Sequence, residues 1–187
     1  MLTKTQLIGK IYAAFTGVTL EDGIGLWEGL ALDDRLEHTA AYKRLKSKDE
    51  RLDWQKNPVI DLFICSSSIS FHDAKGMRFN LGIYLLFALN IFEDEEDKLH
   101  EDKNFNLSLP EVTFALNHNL ESDYSKNRFS LLNKKQIQCV IHFLEYHLKE
   151  QETYFNTYGA KKASKFNKKY IEQEEAIAFW KAQELLR

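Results

Sequence analysis

Residues 81–92 are the most apolar stretch of the chain, with ten apolar residues in twelve. A helix at a protein surface keeps a polar stripe, so a helix that lacks one has to be buried on every side. Twelve residues are too few to cross a bilayer, which takes about 20. We therefore predict that this stretch is the central buried helix of the domain and that Asn80 caps it.

The composition is that of one soluble globular domain. The chain has 187 residues, of which only two are proline, so long helices are allowed. A single core serves most chains of up to about 250 residues, which predicts one domain over 1–187 with 159–187 as a C-terminal helical extension packed on it. The net charge of -3 provides no basic field for a polyanion, which argues against nucleic acid as a partner.

Several helices are predicted from the 3.6-residue spacing of apolar side chains. The first begins at Thr3 or Thr5 and stops at Gly17, and the second begins near Leu26. A capping-box pattern at Asn133 and Gln136 opens the most regular helix. The last, over about 165–186, carries two apolar stripes, so it either buries two faces or offers one to a partner. The first stripe is Phe166, Tyr170, Ile177 and Trp180, and the second is Ile171, Ala178 and Leu185.

A small antiparallel sheet is predicted beside the central helix. Apolar and polar residues alternate on both sides of a turn over 73–76, which is typical of a hairpin over 69–80. The same alternation predicts strand pairing within 105–116, and 59–65 fits a short buried strand or a helical turn. The predicted fold class is therefore α+β: a predominantly helical single domain with an antiparallel hairpin packed on the central helix.

The sequence predicts a cytoplasmic protein. Lys10 interrupts the apolar N-terminal stretch, which argues against a signal peptide. No apolar segment is long enough to cross a membrane, so a membrane is not predicted as a partner. Cys65 and Cys139 are 74 residues apart without a CxxC motif, so two reduced thiols are expected.

The usual cofactor and metal motifs are absent. The glycine-rich stretch 23–29 has its third glycine one residue late for a dinucleotide loop and follows a helix instead of a strand. His142 and Glu145 share a helix face, but a carboxylate-bridged site needs a second such pair. The sequence therefore predicts no cofactor, no metal site and no catalytic residue.

An enzyme remains the alternative. Cys65, the serines at 66–68, His72 and Asp73 bring a nucleophile, an imidazole and a carboxylate into one region. In a hairpin, however, His72 and Asp73 would point to opposite faces. A small hydrolase would need His72, Asp73 and Arg78 to converge in a pocket beside Trp27 and Glu28.

An acidic run over 93–103 indicates a protein partner. Clustered charge of this kind is usually a solvated surface, but it also attracts a partner of opposite charge and speeds association. The predicted partner-binding residues combine this run with two aromatics of the last helix: Glu93, Asp94, Glu95, Glu96, Asp97, Glu101, Asp102, Tyr170 and Trp180.

Separate blocks of the chain resemble an uncharacterised bacterial domain family over about residues 5–148. The blocks are GVTLEDGIGLWE at 17–28, DERLDW at 49–54, SFHDAKGMRFNL at 70–81, RFSLLNKKQ at 128–136 and FLEY at 143–146. The family has no established catalytic residues, so the resemblance transfers none. It implies a small soluble bacterial protein of the kind that often serves as a toxin antidote.

The favoured hypothesis is therefore a non-enzymatic immunity-type protein that binds and neutralises a cognate toxin, the acids steering a basic target. The alternatives are the hydrolase-like enzyme that uses His72 and Asp73, and a structural homodimer that pairs its last helices.

Overall fold

Throughout the residues that the structure describes, all regular secondary structure is helical. A computed structural model describes residues 2–92, 109–158 and 163–187, with the backbone alone for 155–158 and 163–169. Two 3₁₀ turns, Trp54–Lys56 and Ser66–Ser70, lie between the α-helices. The α-helices are α1 (Lys4–Phe15), α2 (Leu26–Asp33), α3 (Ala40–Lys46), α4 (Val59–Ile64), α5 (Ala74–Ala88), α6 (Val112–Asn117), α7 (Asp123–Arg128), α8 (Lys134–Tyr158) and α9 (Ala163–Leu185).

Helix α5 lies at the centre of the fold, as the apolar stretch predicts. It packs against α1, the first 3₁₀ turn, α6 and α7. Its buried residues lie all round the helix: Gly76, Met77, Phe79, Asn80, Leu81, Gly82, Ile83, Tyr84, Leu85, Leu86 and Phe87. Within the described ranges, none of the helices has both the length and the apolar character that a membrane crossing requires.

A layer of long helices covers one side of this core. Helix α8 packs against α1 on one side and α9 on the other, and α9 also contacts α6. Two of the predicted caps are confirmed: Thr3 forms a capping box with Gln6 at the start of α1, and Asn133 and Gln136 bond reciprocally before α8. Helix α1 ends at Phe15, and Gly17 then turns the chain with a φ of 75°, which glycine adopts without strain.

The predicted hairpin over 69–80 is wrong. Residues 66–70 form the second 3₁₀ turn, and α5 begins at Ala74. Asp73 accepts a hydrogen bond from the Gly76 N–H at 2.8 Å and caps α5. Asp is favoured both at the first position of a type I turn and at a helix N-cap, because its carboxylate accepts a nearby backbone N–H in both. The residue pattern that predicts a turn over 73–76 therefore marks the start of a helix.

The other β-strand predictions also fail within the described residues. Val112–Asn117 is helix α6, while 105–108 lie outside the described residues. Of the two options for 59–65, the structure has the helix, α4. The central helix starts at Ala74 instead of 81, so Asn80 is a buried interior residue whose amide donates to the Gly76 carbonyl at 3.1 Å. The α+β fold class is corrected to all-α, because no strand occurs in the described ranges.

The first turn of α5 sits unusually close to the loop before α2. A Cβ added at Gly76 would lie 2.0 Å from the Ile24 carbonyl oxygen, a backbone atom that cannot swing aside. A side chain at this position would therefore separate α5 from the loop.

The same substitution, glycine to alanine, made separately at two positions tests this packing. We expect Gly76→Ala to lower the free energy of unfolding by about 1–3 kcal/mol or more, as overpacking does. Gly9→Ala, in the middle of α1 with nothing within 4 Å of the added methyl group, should raise it by about 1 kcal/mol through helix propensity. Urea denaturation of both variants measures the difference, and equal effects would contradict the close approach.

Candidate functional site

His72 and Asp73 hold the two polar groups of one residue, Ile24, in the loop before α2. The Asp73 carboxylate accepts the Ile24 N–H at 3.0 Å, and His72 Nδ1 lies 2.9 Å from the Ile24 carbonyl oxygen. His72 Nε2 lies 2.9 Å from the Tyr84 hydroxyl on α5. Because a carbonyl oxygen only accepts, Nδ1 carries the proton and Nε2 accepts from Tyr84. The imidazole therefore joins the loop to the central helix.

Burial keeps this imidazole neutral. His72 is 2% exposed, and loss of hydration lowers its pKa from 6.5 to about 4. In the neutral form, both ring nitrogens of His72 have hydrogen-bond partners, the Ile24 carbonyl oxygen and the Tyr84 hydroxyl. It therefore acts as a fixed structural bridge in this conformation.

The other residues of the enzyme hypothesis have separate partners. Arg78 pairs with Glu21, and the Trp27 indole donates to Asp61 Oδ2 at 2.8 Å. The Glu28 carboxylate, 3% exposed, accepts hydrogen bonds from Lys46 Nζ at 2.7 Å and from the Tyr42 hydroxyl. His72 and Asp73 share Ile24, but the structure does not bring Arg78 to them.

Asp49 is a half-buried carboxylate at the start of α2. It accepts the N–H groups of Trp27 at 2.7 Å and Glu28 at 3.3 Å, so it caps the helix from outside the local sequence. Burial raises its pKa from 3.8 to about 6, against the effect of these two N–H groups. Gly25 leaves room for it, because a Cβ there would lie 2.3 Å from the Asp49 carboxyl carbon.

Of the candidate nucleophiles, Cys65 and Ser68 are enclosed, while Ser66 and Ser67 are half-buried. Ser68 is buried and its hydroxyl donates to the Leu26 carbonyl. Cys65 and Cys139 are free thiols in the core, and burial raises the pKa of both, to about 12 for Cys139. A thiol in this state is a poor nucleophile. Among the described residues, no group of three or more His, Cys, Asp or Glu side chains is placed to hold a metal ion.

The predicted partner-binding residues fall into three situations. The seven acids, Glu93 to Asp97 with Glu101 and Asp102, lie outside the described residues. Trp180 is 1% exposed, and its indole donates to the Leu116 carbonyl at 3.0 Å. Tyr170 is half-buried, and a hydrogen bond with Glu152 raises its pKa to about 12. Of the two that the structure describes, Tyr170 alone presents part of its surface.

The second stripe of α9 faces outward. Ile171 is 53% exposed and Leu185 is 84% exposed, with Ala178 between them also exposed. Residues seven apart lie on nearly the same side of a helix, and at about 100° per residue Trp180 lies on the side opposite Ile171. Ile177 and Trp180 of the first stripe are thus core, and the second stripe is surface. We call Ile171, Ala178 and Leu185 the outer face of α9.

Acidic side chains border this outer face. Glu174 and Glu175 are exposed on either side of it. Glu175 also lines a groove of about 450 Å³ between α9 and the start of α7, together with Glu121 and Glu172. The surface therefore combines apolar contact area with negative charge.

The sequence predicts two apolar stripes on α9 but not which of them is exposed. Both fit the period of a helix, and the choice depends on Phe129 and Leu116, which lie around Trp180 from distant parts of the chain. The signal that could have helped is the flanking charge, because Glu174 and Glu175 border the outer stripe.

A pH series tests the bridge at His72. Because its folded pKa of about 4 lies below its unfolded value of 6.5, the unfolded chain takes up the proton first, and stability present above pH 6.5 is lost as the pH falls toward 4. Relative to His72→Asn, the wild type should lose about 2–3 kcal/mol of unfolding free energy between pH 7 and pH 4.5. Urea titrations at both pH values measure this, and a constant difference would contradict it. If the variant does not fold, NMR titration of the wild-type ring gives the pKa directly.

Comparison with known proteins places the chain in a family. No curated protein and no solved structure matches it. One family model, described as a family of unknown function (DUF6714), matches residues 3–184. The predicted membership of an uncharacterised domain family is thereby confirmed. Since the match covers nearly the whole chain, the protein belongs to family DUF6714.

Proposed function

We propose that this protein is a non-enzymatic binding protein of the immunity type, which neutralises a toxin by covering part of its surface. The observation that carries the proposal is the outer face of α9. Its apolar residues are exposed, while the opposite face of the same helix is buried against α8 and α6. Apolar contact area on a rigid helix is suited to a protein partner.

The charge around this face indicates the chemistry of the partner. Glu174 and Glu175 border the apolar stripe, and three carboxylates line the adjacent groove. A basic side chain of the partner entering the groove would pair with Glu175, while apolar side chains cover Ile171 and Ala178. The acidic run 93–103 holds seven acids and two lysines, and this excess of negative charge would speed the encounter with a basic toxin.

The proposal places the protein in the cytoplasm. It assigns no catalytic residue, because His72, Asp73 and Arg78 each serve contacts within the fold. Neither nucleic acid nor a membrane is assigned as a partner, in keeping with the net charge of -3.

Co-expression with the product of a neighbouring toxin gene tests the function. We expect the protein to protect cells from that toxin, because occlusion of a toxin's active site requires no chemistry. The purified pair should form a complex in isothermal titration calorimetry. If the protein neither protects cells from the neighbouring toxin nor binds it, the proposal is wrong.

A charged substitution tests the surface. Ile171→Arg should weaken toxin binding by at least about tenfold, because it removes apolar contact area and repels a basic partner. Leu52→Arg is the matched control, since Leu52 is 77% exposed on the loop before the first 3₁₀ turn, and should bind like the wild type. Both variants should keep the wild-type melting temperature, because both side chains are exposed.

The same variants separate the homodimer from the heteromeric complex. In light scattering, a dimer of the isolated protein that Ile171→Arg converts to monomer would assign the outer face to a second copy of this chain and overturn the toxin contact. Unchanged toxin binding by Ile171→Arg would move the contact away from α9.

A further inference from the structure

A pocket of about 510 Å³ opens between the second 3₁₀ turn and helices α6 and α7. This volume is in the range of small-molecule sites. Buried residues from three elements form its floor, namely Ile69, Ala115, Ser125 and Arg128. Its rim is exposed and largely apolar, with Leu109, Phe114 and Tyr124 each 53–57% exposed. The pocket does not depend on the outer face of α9.

The unusual feature of the pocket is the charge of Arg128. The residue is 6% exposed, and its guanidinium donates to the carbonyl oxygens of Ile69 at 3.1 Å and Ala115 at 3.2 Å. It also donates to the Tyr124 hydroxyl at 3.2 Å. All of these acceptors are uncharged. Within 2–92, 109–158 and 163–187, no carboxylate lies within ion-pair distance of it, and its Nε is buried without a hydrogen-bond partner.

A buried charge without a counter-ion destabilises a fold. Here burial lowers the pKa of Arg128 below its usual value, although the guanidinium stays charged at neutral pH. The rings of Tyr124 and Phe129 lie 4.8 and 4.7 Å from its central carbon and offset part of the charge. Neither ring is an anion, so an anion in the pocket would supply the missing charge.

The rest of the lining defines which anion fits. Ser66, Ser67 and Ser70 place hydroxyl groups around the pocket, and hydroxyls donate to carboxylate oxygens. Phe114, stacked on His118 with ring centroids 4.1 Å apart, offers an aromatic face to an apolar group. Glu111 also lines the pocket, and its carboxylate disfavours a ligand with several negative charges.

We propose that this pocket binds an organic monocarboxylate with an apolar or aromatic body. The carboxylate lies toward Arg128 and the serine hydroxyls, and the body covers Phe114 and Leu109. Two sources supply this chemistry, a free small acid and the C-terminal carboxylate of a peptide that ends in an apolar residue.

Isothermal titration calorimetry with matched probes tests the charge. The first probe is 4-phenylbutanoate, and its neutral control is 4-phenylbutanamide. We expect the acid to bind at least about tenfold more tightly, because a hydrogen bond to a charged group contributes about 1.5–3 kcal/mol. A glycyl-glycyl-phenylalanine peptide with a free or an amidated C-terminus forms the second pair. Tighter binding of the free peptide than of the small acid assigns the site to chain termini, and the reverse order assigns it to small acids.

Two variants tie binding to the pocket. Arg128→Gln keeps amide donors for the carbonyl oxygens but removes the charge, so it should abolish the preference for acid over amide. Ser67→Phe fills the pocket from a half-buried position and should abolish binding, while Ser47→Phe on the exposed end of α3 should not. If Arg128→Gln does not fold by circular dichroism, Ser67→Phe and the wild-type comparison decide.

Any of four results would overturn the proposal. The first three are equal affinity for acid and amide, full acid preference in a folded Arg128→Gln variant, and no detectable binding of the acid at about 5 mM, a concentration at which a site with a Kd of about 1 mM is mostly occupied. Retained binding in Ser67→Phe would place the ligand elsewhere and overturn it as well.

Discussion

The burial of α5 on all sides is the constraint on which the rest of the fold depends. A helix with this apolar circumference is stable in water only when other elements surround it. Helix α1, the first 3₁₀ turn, α6 and α7 each cover one part of it. These elements come from distant parts of the sequence, so the chain has to fold back onto the central helix several times.

Buried polar groups then fix the position of each covering element. The Trp54 indole donates to the Phe15 carbonyl at 2.9 Å and joins the first 3₁₀ turn to the end of α1. Gln173 donates to the Leu144 carbonyl at 2.7 Å and joins α9 to α8. A buried donor without its acceptor costs about 1–3 kcal/mol. Apolar packing alone would allow the helices to slide, whereas these bonds favour one register.

The sequence predicts the parts of this fold that depend on local interactions. Thr3 and Asn133 cap their helices through neighbours three residues away, so both helix starts are readable from the sequence. The hairpin over 69–80 failed because alternation over a few residues also fits a 3₁₀ turn followed by a capped helix. Asp73 supports either structure, and the contact that selects the helix is with Ile24, 49 residues away.

The candidate sites depend even more on distant contacts. The exposed stripe of α9 is distinguished from the buried one only by what packs around Trp180. Arg128 stands within a recognisable sequence block, but the absence of a carboxylate beside it among the described residues is a property of the folded surroundings. Sequence patterns therefore predict which side chains share a helix face, and tertiary packing decides which of them meet water.

Two groups that contact the loop before α2 and the first turn of that helix, Asp49 and His72, have opposite effects on the stability of the fold when they take up a proton. Asp49 has a folded pKa of about 6, above its unfolded value of 3.8, so its protonation favours the native state as the pH falls through that interval. His72 has the reverse order, and its protonation favours the unfolded chain between about pH 6.5 and 4. Over this window the two contributions offset each other. Mild acidification thus rearranges charge around α2 while these two residues together leave the balance between folded and unfolded chains nearly unchanged.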